Sequence, residues 1–216
     1  MLNLNITRPA AAYLKEKLNL SVDEEAIALF GLQALIYSTI NLLTICFVGW
    51  LFGCFWTTLV ATLSAGLLRL FSGGAHSKSP LTCAILGMIV ALLLGKAALI
   101  IAPIFTYQAL LVTILIGVVV SLIIVLLLAP VDSPAKPIIS LEYKRKMRFL
   151  SLLIVILIAA GQVVLISWNE ALTGIVLSAS LGTWWQTFTL TKAGHRFATL
   201  LDNFIVKEGK RSETSL

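Results

Sequence analysis

Charge is what this sequence has least of. Of its 216 residues only 12% are Asp, Glu, Lys or Arg, while 59% are hydrophobic and the mean hydropathy is +0.99. Soluble domains carry about 25% charged residues, so an ordinary globular fold is excluded. Cysteine is scarce too. There are three, none in a C-x-x-C pair, and with only two histidines beside them no zinc ligand set is in view. Neither a metal nor another cofactor is expected. The opening of the chain has no secretory signal pattern: Arg8, Lys15, Glu16, Lys17, Asp23, Glu24 and Glu25 interrupt it, and no apolar core precedes a cleavage-like site. An internal repeat is also missing, which weakens transporter architectures built from inverted repeats.

What the sequence does have is long apolar stretches. A bilayer span takes roughly 20 consecutive, mostly apolar residues. Six stretches qualify, at 26–51, 55–70, 81–102, 104–129, 149–167 and 171–190. The second is the shortest, and Thr57, Thr58, Thr62 and Ser64 make it the most polar-spotted. Gly53 is the expected turn between the first two, because glycine accepts the backbone angles of a tight reversal. The fold class is therefore all-α, a polytopic membrane bundle of about six helices. It divides into an N-terminal arm at 1–25, a membrane domain at 26–191 and a tail at 192–216.

The distribution of basic residues orients this bundle. Lys and Arg gather on the cytoplasmic side of membrane proteins. Here they fall in the arm (Arg8, Lys15, Lys17), around the second connection (Arg69, Lys78), in the fourth (Lys136, Lys144, Arg145, Lys146, Arg148) and in the tail (Lys192, Arg196, Lys207, Lys210, Arg211). The odd connections have none; Arg69 stands at the span end leading into the second connection, and the one basic residue left over, Lys96, lies inside a span. That alternation fits six spans with both termini in the cytoplasm. Trp50, Trp56 and Trp168 then fall near the outer interface, and Trp184 and Trp185 nearer the inner one. The net charge of +6 reads as this signal plus attraction to anionic lipid. A nucleic-acid partner is not expected, since no basic patch carries a stacking motif.

Outside the spans, Thr7 and Pro9 suit the start of a short helix in the arm, and Leu14 and Leu18 give it an apolar face for the inner leaflet. A solvated arm is the competing reading. Ser21 followed by Glu24 is a capping-box pattern ahead of the first span. The longest connection, 130–148, holds Pro130, Pro134 and Pro137 before its basic run, and prolines oppose helix, so an ordered loop is expected there. The tail is expected to be partly mobile near its end.

The segment that suggests chemistry is 68–83, reading L-R-L-F-S-G-G-A-H-S-K-S-P-L-T-C. It holds His76 and Cys83 at the cytoplasmic end of the second span and the start of the third. Gly73 and Gly74 permit a sharp bend, and Pro80 suits a helix start. A thiolate attacks a carbonyl while a nearby imidazole takes the thiol proton and later gives one to the leaving amine. The pair needs sulfur and nitrogen within about 3 Å, and a histidine on a glycine-flanked loop can fold back over the helix start carrying Cys83. A first-turn position would further favour the thiolate through the helix dipole, and Arg69 adds positive charge. On spacing alone the bland alternative is stronger: Cys83 as a small apolar helix residue, His76 as a loop residue.

The run R-L-F-S-G-G-A-H-S-K-S-P-L-T-C resembles the signature of the accessory gene regulator B (AgrB) family, membrane cysteine endopeptidases of bacterial quorum sensing. A-P-V-D-S-P-A-K-P-I, at 129–138, is similar to that family's second recognisable segment. Ser77 departs from the alanine expected after the histidine. The resemblance implies Cys83 as nucleophile and His76 as base, with Arg69 and Gly74 in supporting positions. It implies a bacterial cell-membrane enzyme, acting as a homodimer, that cuts a signalling peptide precursor on its C-terminal side. The precursor's own cysteine then takes the acyl group, giving a cyclic thiolactone, or a lactone where a serine replaces it. Lys144, Arg145 and Lys146 are expected to attract an acidic precursor tail. Asp132 has two competing roles, orienting His76 or pairing with Lys136, and the second is favoured.

The remaining polar residues point to packing. Lys96, ~22 Å along its span from Leu81, is a functional candidate by default, but it is near enough to the outer surface to snorkel. Gln33, Asn41 and Gln162 are expected to bond between helices, and Gly174, Ser178 and Gly182 to form a close-packing face, within one subunit or between two. Cys46 and Cys54 read as small core residues, and His195 as an interfacial one. A transporter or exporter of a small peptide or solute is the rival function, with Lys96 and Asn41 lining its path. It would tolerate loss of His76 and Cys83.

Overall fold

A computed structural model of the chain describes residues 7–75, 80–131 and 140–201, side chains at 80 and 81 excepted. Within these the structure is helical, without a strand: α1 (Thr7–Leu18), α2 (Val22–Leu51), α3 (Phe55–Ser72), α4 (Pro80–Ile101), α5 (Tyr107–Leu128), α6 (Leu141–Trp168), α7 (Thr173–Leu190) and a helical stretch at 192–201, here α8. Short 3-10 turns stand at Ala102–Ile104 and Glu170–Leu172. Two compact units share the chain, Met1–Thr44 and Ile45–Leu216.

In the first unit, the arm is a helix, α1, with Pro9 in its first turn. The capping box forms as its residues dictate: Glu24 N–H donates to Ser21 Oγ at 3.3 Å, and Ser21 N–H donates to Glu24 Oε2 at 2.8 Å. This satisfies donors that the start of α2 would otherwise leave bare. Lys15 Nζ meets Glu25 Oε2 at 2.6 Å, tying the arm to that start.

The second unit is organised around α7. Five helices are long and apolar enough to cross a bilayer: α2, α3, α4 with its 3-10 extension, α5 and α6. The stretch at 171–190, expected as a sixth apolar span, differs in kind. α7 carries Ser178, Ser180, Thr183, Gln186, Thr187 and Thr189, and all six are buried. It packs against α3, α4, α5 and α6. A helix walled by other helices need not be apolar to lipid, provided its polar groups find partners. Thr183, Thr187 and Thr189 bond backward to carbonyls of their own helix, and Thr187 Oγ1 reaches Ser121 Oγ on α5 at 3.1 Å.

Small residues set how closely the helices approach. A methyl at Gly182 would land on the Ala61 carbonyl of α3, and one at Gly95 on Thr58. The Gly174, Ser178 and Gly182 face is thus used inside the subunit, against α3 and its surroundings. Because Gly174 lies by Thr57, Gly182 by Ala61 and Gln186 by Ser72, α3 and α7 run side by side in the same direction over their whole lengths. Gln162 also bonds between helices, to Val176 O at 2.9 Å and Ser180 Oγ at 2.7 Å.

The unit has two distinct ends. One carries the turn at Gly53 (φ +68°), the exposed Trp50, Trp56 and Trp168, and Lys96, which donates to the Phe52 carbonyl at 3.0 Å. The other carries the ends of α3, α5 and α7 and the starts of α4, α6 and α8. Trp184 sits at neither. Its indole covers Gly117, half-way along α5, so it packs between helices instead of marking an interface.

Two boundaries differ from the sequence reading. α6 begins at Leu141, so the basic run lies in its first two turns and not in a loop. Ser140 caps it, accepting from Tyr143 N–H at 3.4 Å, and no proline follows Pro137 to stop it. The helix is ~42 Å long, against a hydrocarbon core of about 30 Å, so a charged extension is geometrically natural. The tail likewise starts as helix. Thr191 Oγ1 accepts from Gly194 N–H at 3.1 Å, and Phe197 packs on Trp185 and Phe188.

Candidate active site

The site is built at the end of α3. Gly73 N–H closes the last turn on the Arg69 carbonyl at 3.1 Å, after which Gly73 (φ +66°) and Gly74 (φ +143°) turn the chain sharply. Both angles favour glycine, and space demands it as well. A Cβ at Gly73 would stand 2.6 Å from the Val131 carbonyl oxygen, and one at Gly74 2.7 Å from Thr189 Oγ1.

The bend is fastened on three sides. Val131 N–H donates to the Ser72 carbonyl at 2.9 Å, Ala75 N–H to the Thr189 carbonyl at 3.0 Å, and Arg69 Nη2 to the Ala75 carbonyl at 2.6 Å. Ala75 therefore has both backbone groups held. The two short segments singled out in the sequence, 69–83 and 129–138, meet through Ser72 and Val131. The second is tied in turn to α6, whose Arg148 Nε donates to the Ala129 carbonyl at 2.8 Å.

Beneath the bend lies Gln186 of α7, 1% exposed. Its Nε2 donates to Gly73 O at 2.7 Å and to Ser72 Oγ at 3.1 Å, while Oε1 accepts from Thr189 Oγ1 at 3.2 Å and, more weakly, from Arg69 Nη1 at 3.4 Å. Both atoms of the amide are used, as burial requires. Sequence reasoning missed Gln186 and Thr189. Their signal was a glutamine and a threonine one turn apart near the end of the last apolar stretch.

Cys83 lies in the first turn of α4, half-buried and unpaired. The Arg69 guanidinium, itself half-buried, is within electrostatic range of its thiol. With the helix dipole, this places two sources of positive potential near the sulfur. Cys46 and Cys54 belong to the opposite end. Cys54 is buried at the α2–α3 turn, where it accepts from Thr58 Oγ1 at 3.4 Å.

His76, the expected base, lies outside the described residues, immediately after the fastened Ala75. Asp132 and Lys136 also lie outside them, Asp132 next to the fastened Val131. Lys144 is half-buried on α6, and Arg145 and Lys146 are exposed. His195 is engaged locally, its Nδ1 2.9 Å from the Thr191 carbonyl.

A family model described as accessory gene regulator B matches residues 7–190. Two AgrB-like proteins of Clostridium perfringens are similar over nearly their whole length. That of strain SM101 is 29% identical over 211 residues, and AgrB-like protein 2 of strain 13 is 31% identical over 212. Each alignment covers 94% of this chain and 98% of the relative. No solved structure matches.

Proposed function

The chain belongs to the accessory gene regulator B family, whose members take part in processing the peptide signal of quorum sensing, and on that premise we propose that it is a membrane cysteine endopeptidase with Cys83 as nucleophile and His76 as general base. The observation that carries the reading is the fastening of Ala75. The residue before His76 has both backbone groups bonded, and one of its partners, Arg69, is within electrostatic range of Cys83. The alternative, a small apolar cysteine in a helix, gives no reason for a half-buried arginine between these elements.

In the proposed reaction the Cys83 thiol gives its proton to the His76 imidazole as sulfur attacks the scissile carbonyl carbon. The C–N bond breaks, the imidazolium returns the proton to the leaving amine, and a C-terminal fragment departs. The acyl group is left as a thioester on Cys83. The precursor's own thiol then attacks that thioester, releasing a cyclic thiolactone and restoring the Cys83 thiol. This exchange replaces one thioester with another, so it is near balance and proceeds as the fragment leaves and water is kept out.

The end of the unit that carries the site also carries Arg69, Lys144, Arg145, Lys146, Arg148, Lys192 and Arg196, while Lys96 stands at the other. By the positive-inside rule the site faces the cytoplasm of the bacterial cell membrane. There the basic first turns of α6 meet an acidic precursor tail, and the enzyme acts as a homodimer.

The test is a cleavage assay in lipid vesicles with a short cysteine-containing precursor peptide, comparing wild type with Cys83→Ser and His76→Ala. A cyclic product and a released tail from wild type alone, with a trapped acyl adduct on Cys83, are expected. Normal processing by both variants would overturn the reading and move attention to transport.

A further inference from the structure

Gln186 lies more than 100 residues downstream of the segment carrying His76 and Cys83 (113 positions separate it from Gly73), yet its amide touches three of that segment's residues. We propose that Gln186 is a positioning residue of the active site, holding Arg69 and the Gly73–Ala75 bend in the register that makes Cys83 reactive. The inference rests on the peptidase reading above and adds to it a residue from α7.

Three observations carry it. First, the amide serves two jobs that a single-purpose packing residue would not. Its Nε2 grips the bend at Gly73 O and Ser72 Oγ, while its Oε1 accepts from the guanidinium of Arg69. Second, Arg69 donates both to Ala75 O and to Gln186 Oε1, so Gln186 is one of the groups that orient the guanidinium. Losing the Gln186 contact removes one of the bonds that hold the guanidinium in the electrostatic neighbourhood of the Cys83 thiol. Third, the bend fits against this amide with no slack. A Cβ at Gly74 would stand 3.2 Å from Gln186 Nε2 and 3.6 Å from Arg69 Nη1. Gln162 provides the contrast within the same bundle: it is equally buried, but it joins α6 to α7 without touching the segment.

The experiment measures iodoacetamide alkylation of each cysteine at pH 7, by peptide mass, on the full chain in lipid vesicles. Iodoacetamide reacts with the thiolate, and Cys46 and Cys54 at the opposite end serve as internal references. Cys83 of wild type is expected to react faster than Cys46, and His76→Ala to slow it. Gln186→Met, which keeps the volume and removes the hydrogen bonds, is expected to slow Cys83 about tenfold, the scale of losing a hydrogen bond to a charged group. Cys46 should be unchanged. If Gln186 acts through Arg69, adding Gln186→Met to Arg69→Gln should cost nothing more. A structural role alone predicts additive losses.

If Cys83 of wild type reacts no faster than Cys46 and ignores His76→Ala, the peptidase reading falls and this inference with it. If Cys83 behaves as expected but Gln186→Met stays within about twofold of wild type, or its loss is undiminished on the Arg69→Gln background, only the positioning role is overturned. Should Gln186→Met fail to fold by thermal melting, Thr189→Val decides. It removes the hydroxyl that Gln186 Oε1 accepts from. About threefold slower alkylation with normal melting is expected, since one of several bonds is lost. An unchanged rate would overturn the proposal.

Discussion

Val131 and Ser72 are joined by a backbone hydrogen bond of 2.9 Å, across 59 positions of sequence (131 less 72). The contact sits at the two glycines of the site. The Val131 carbonyl occupies the space where a side chain at Gly73 would begin. The two short segments that stand out in the sequence are therefore one structural object, and changes in either should be felt in the other.

Gly73→Ala should show this directly. It places a methyl 2.6 Å from backbone, which cannot move aside as a side-chain tip would, at φ +66°. A cost of about 1–3 kcal/mol is expected from the backbone conformation alone. Gly66→Ala is the control, since nothing lies within 4 Å of its Cβ position. There the change should be neutral or stabilise by up to ~1 kcal/mol through helix propensity. Thermal melting in detergent separates the two. Equal melting temperatures would mean that the bend at Gly73 is not held as described.

A second pair of glycines tests the α3–α7 core. Gly182→Ala drives a methyl onto the Ala61 backbone, whereas at Gly174 the nearest atoms stand at ordinary contact distances of 3.6 and 3.7 Å. Overpacking costs typically about 1–3 kcal/mol, so Gly182→Ala should lower the melting temperature clearly and Gly174→Ala very little. Similar effects at both positions would argue that this face packs elsewhere, for instance between two copies of the chain.

The comparison of sequence with structure turns on which signals are local. Apolar runs report what faces lipid, so α2, α4 and α5 and the turn at Gly53 were legible from hydropathy and one glycine. Ser21 and Glu24 announced their capping box because its partners are three residues apart. Of the residues singled out by the motif, Arg69 and Gly74 lie at the bend and Cys83 stands in the first turn of α4. What was missed depends on distant partners. α7 reads as another span, but its polar residues record burial among helices, which no run of hydropathy expresses. Gln186 carries no mark of its role, because that role is set by where α3 ends beside it. The basic run looked like loop because prolines precede it. The helix start is decided by Ser140, a single capping residue.

Gln162 offers a check that polar burial and site function separate. Gln162→Leu loses the bonds to Val176 O and Ser180 Oγ. Hydrogen bonds between membrane helices average about 0.6 kcal/mol with a maximum near ~1.7, so melting should fall modestly. Cys83 alkylation in the folded protein should not change, because Gln162 touches no residue of the bend. A selective loss of Cys83 reactivity would show that the site responds to any loosening of α7, and would remove the distinction drawn for Gln186.

The basic first turns of α6 yield a prediction about salt. Arg145 and Lys146 are exposed and Lys144 is half-buried, so any attraction to an acidic precursor tail acts through solvent and is screened over about 8 Å at physiological ionic strength. Replacing Lys144, Arg145 and Lys146 together by Gln should raise KM while leaving the rate at saturating precursor nearly unchanged, because a long-range attraction acts on capture and not on the reacting bond. The wild-type advantage should be largest at low salt and shrink as salt is added, the mark of steering rather than of a buried contact. Cleavage kinetics across a salt series in neutral-lipid vesicles test this without competition from anionic headgroups. If the triple variant processes precursor like wild type at physiological salt, the run serves orientation in the membrane and not substrate capture. If instead the rate at saturation collapses, the first turns of α6 support the site through Arg148 and Ala129, and the precursor's tail is bound elsewhere.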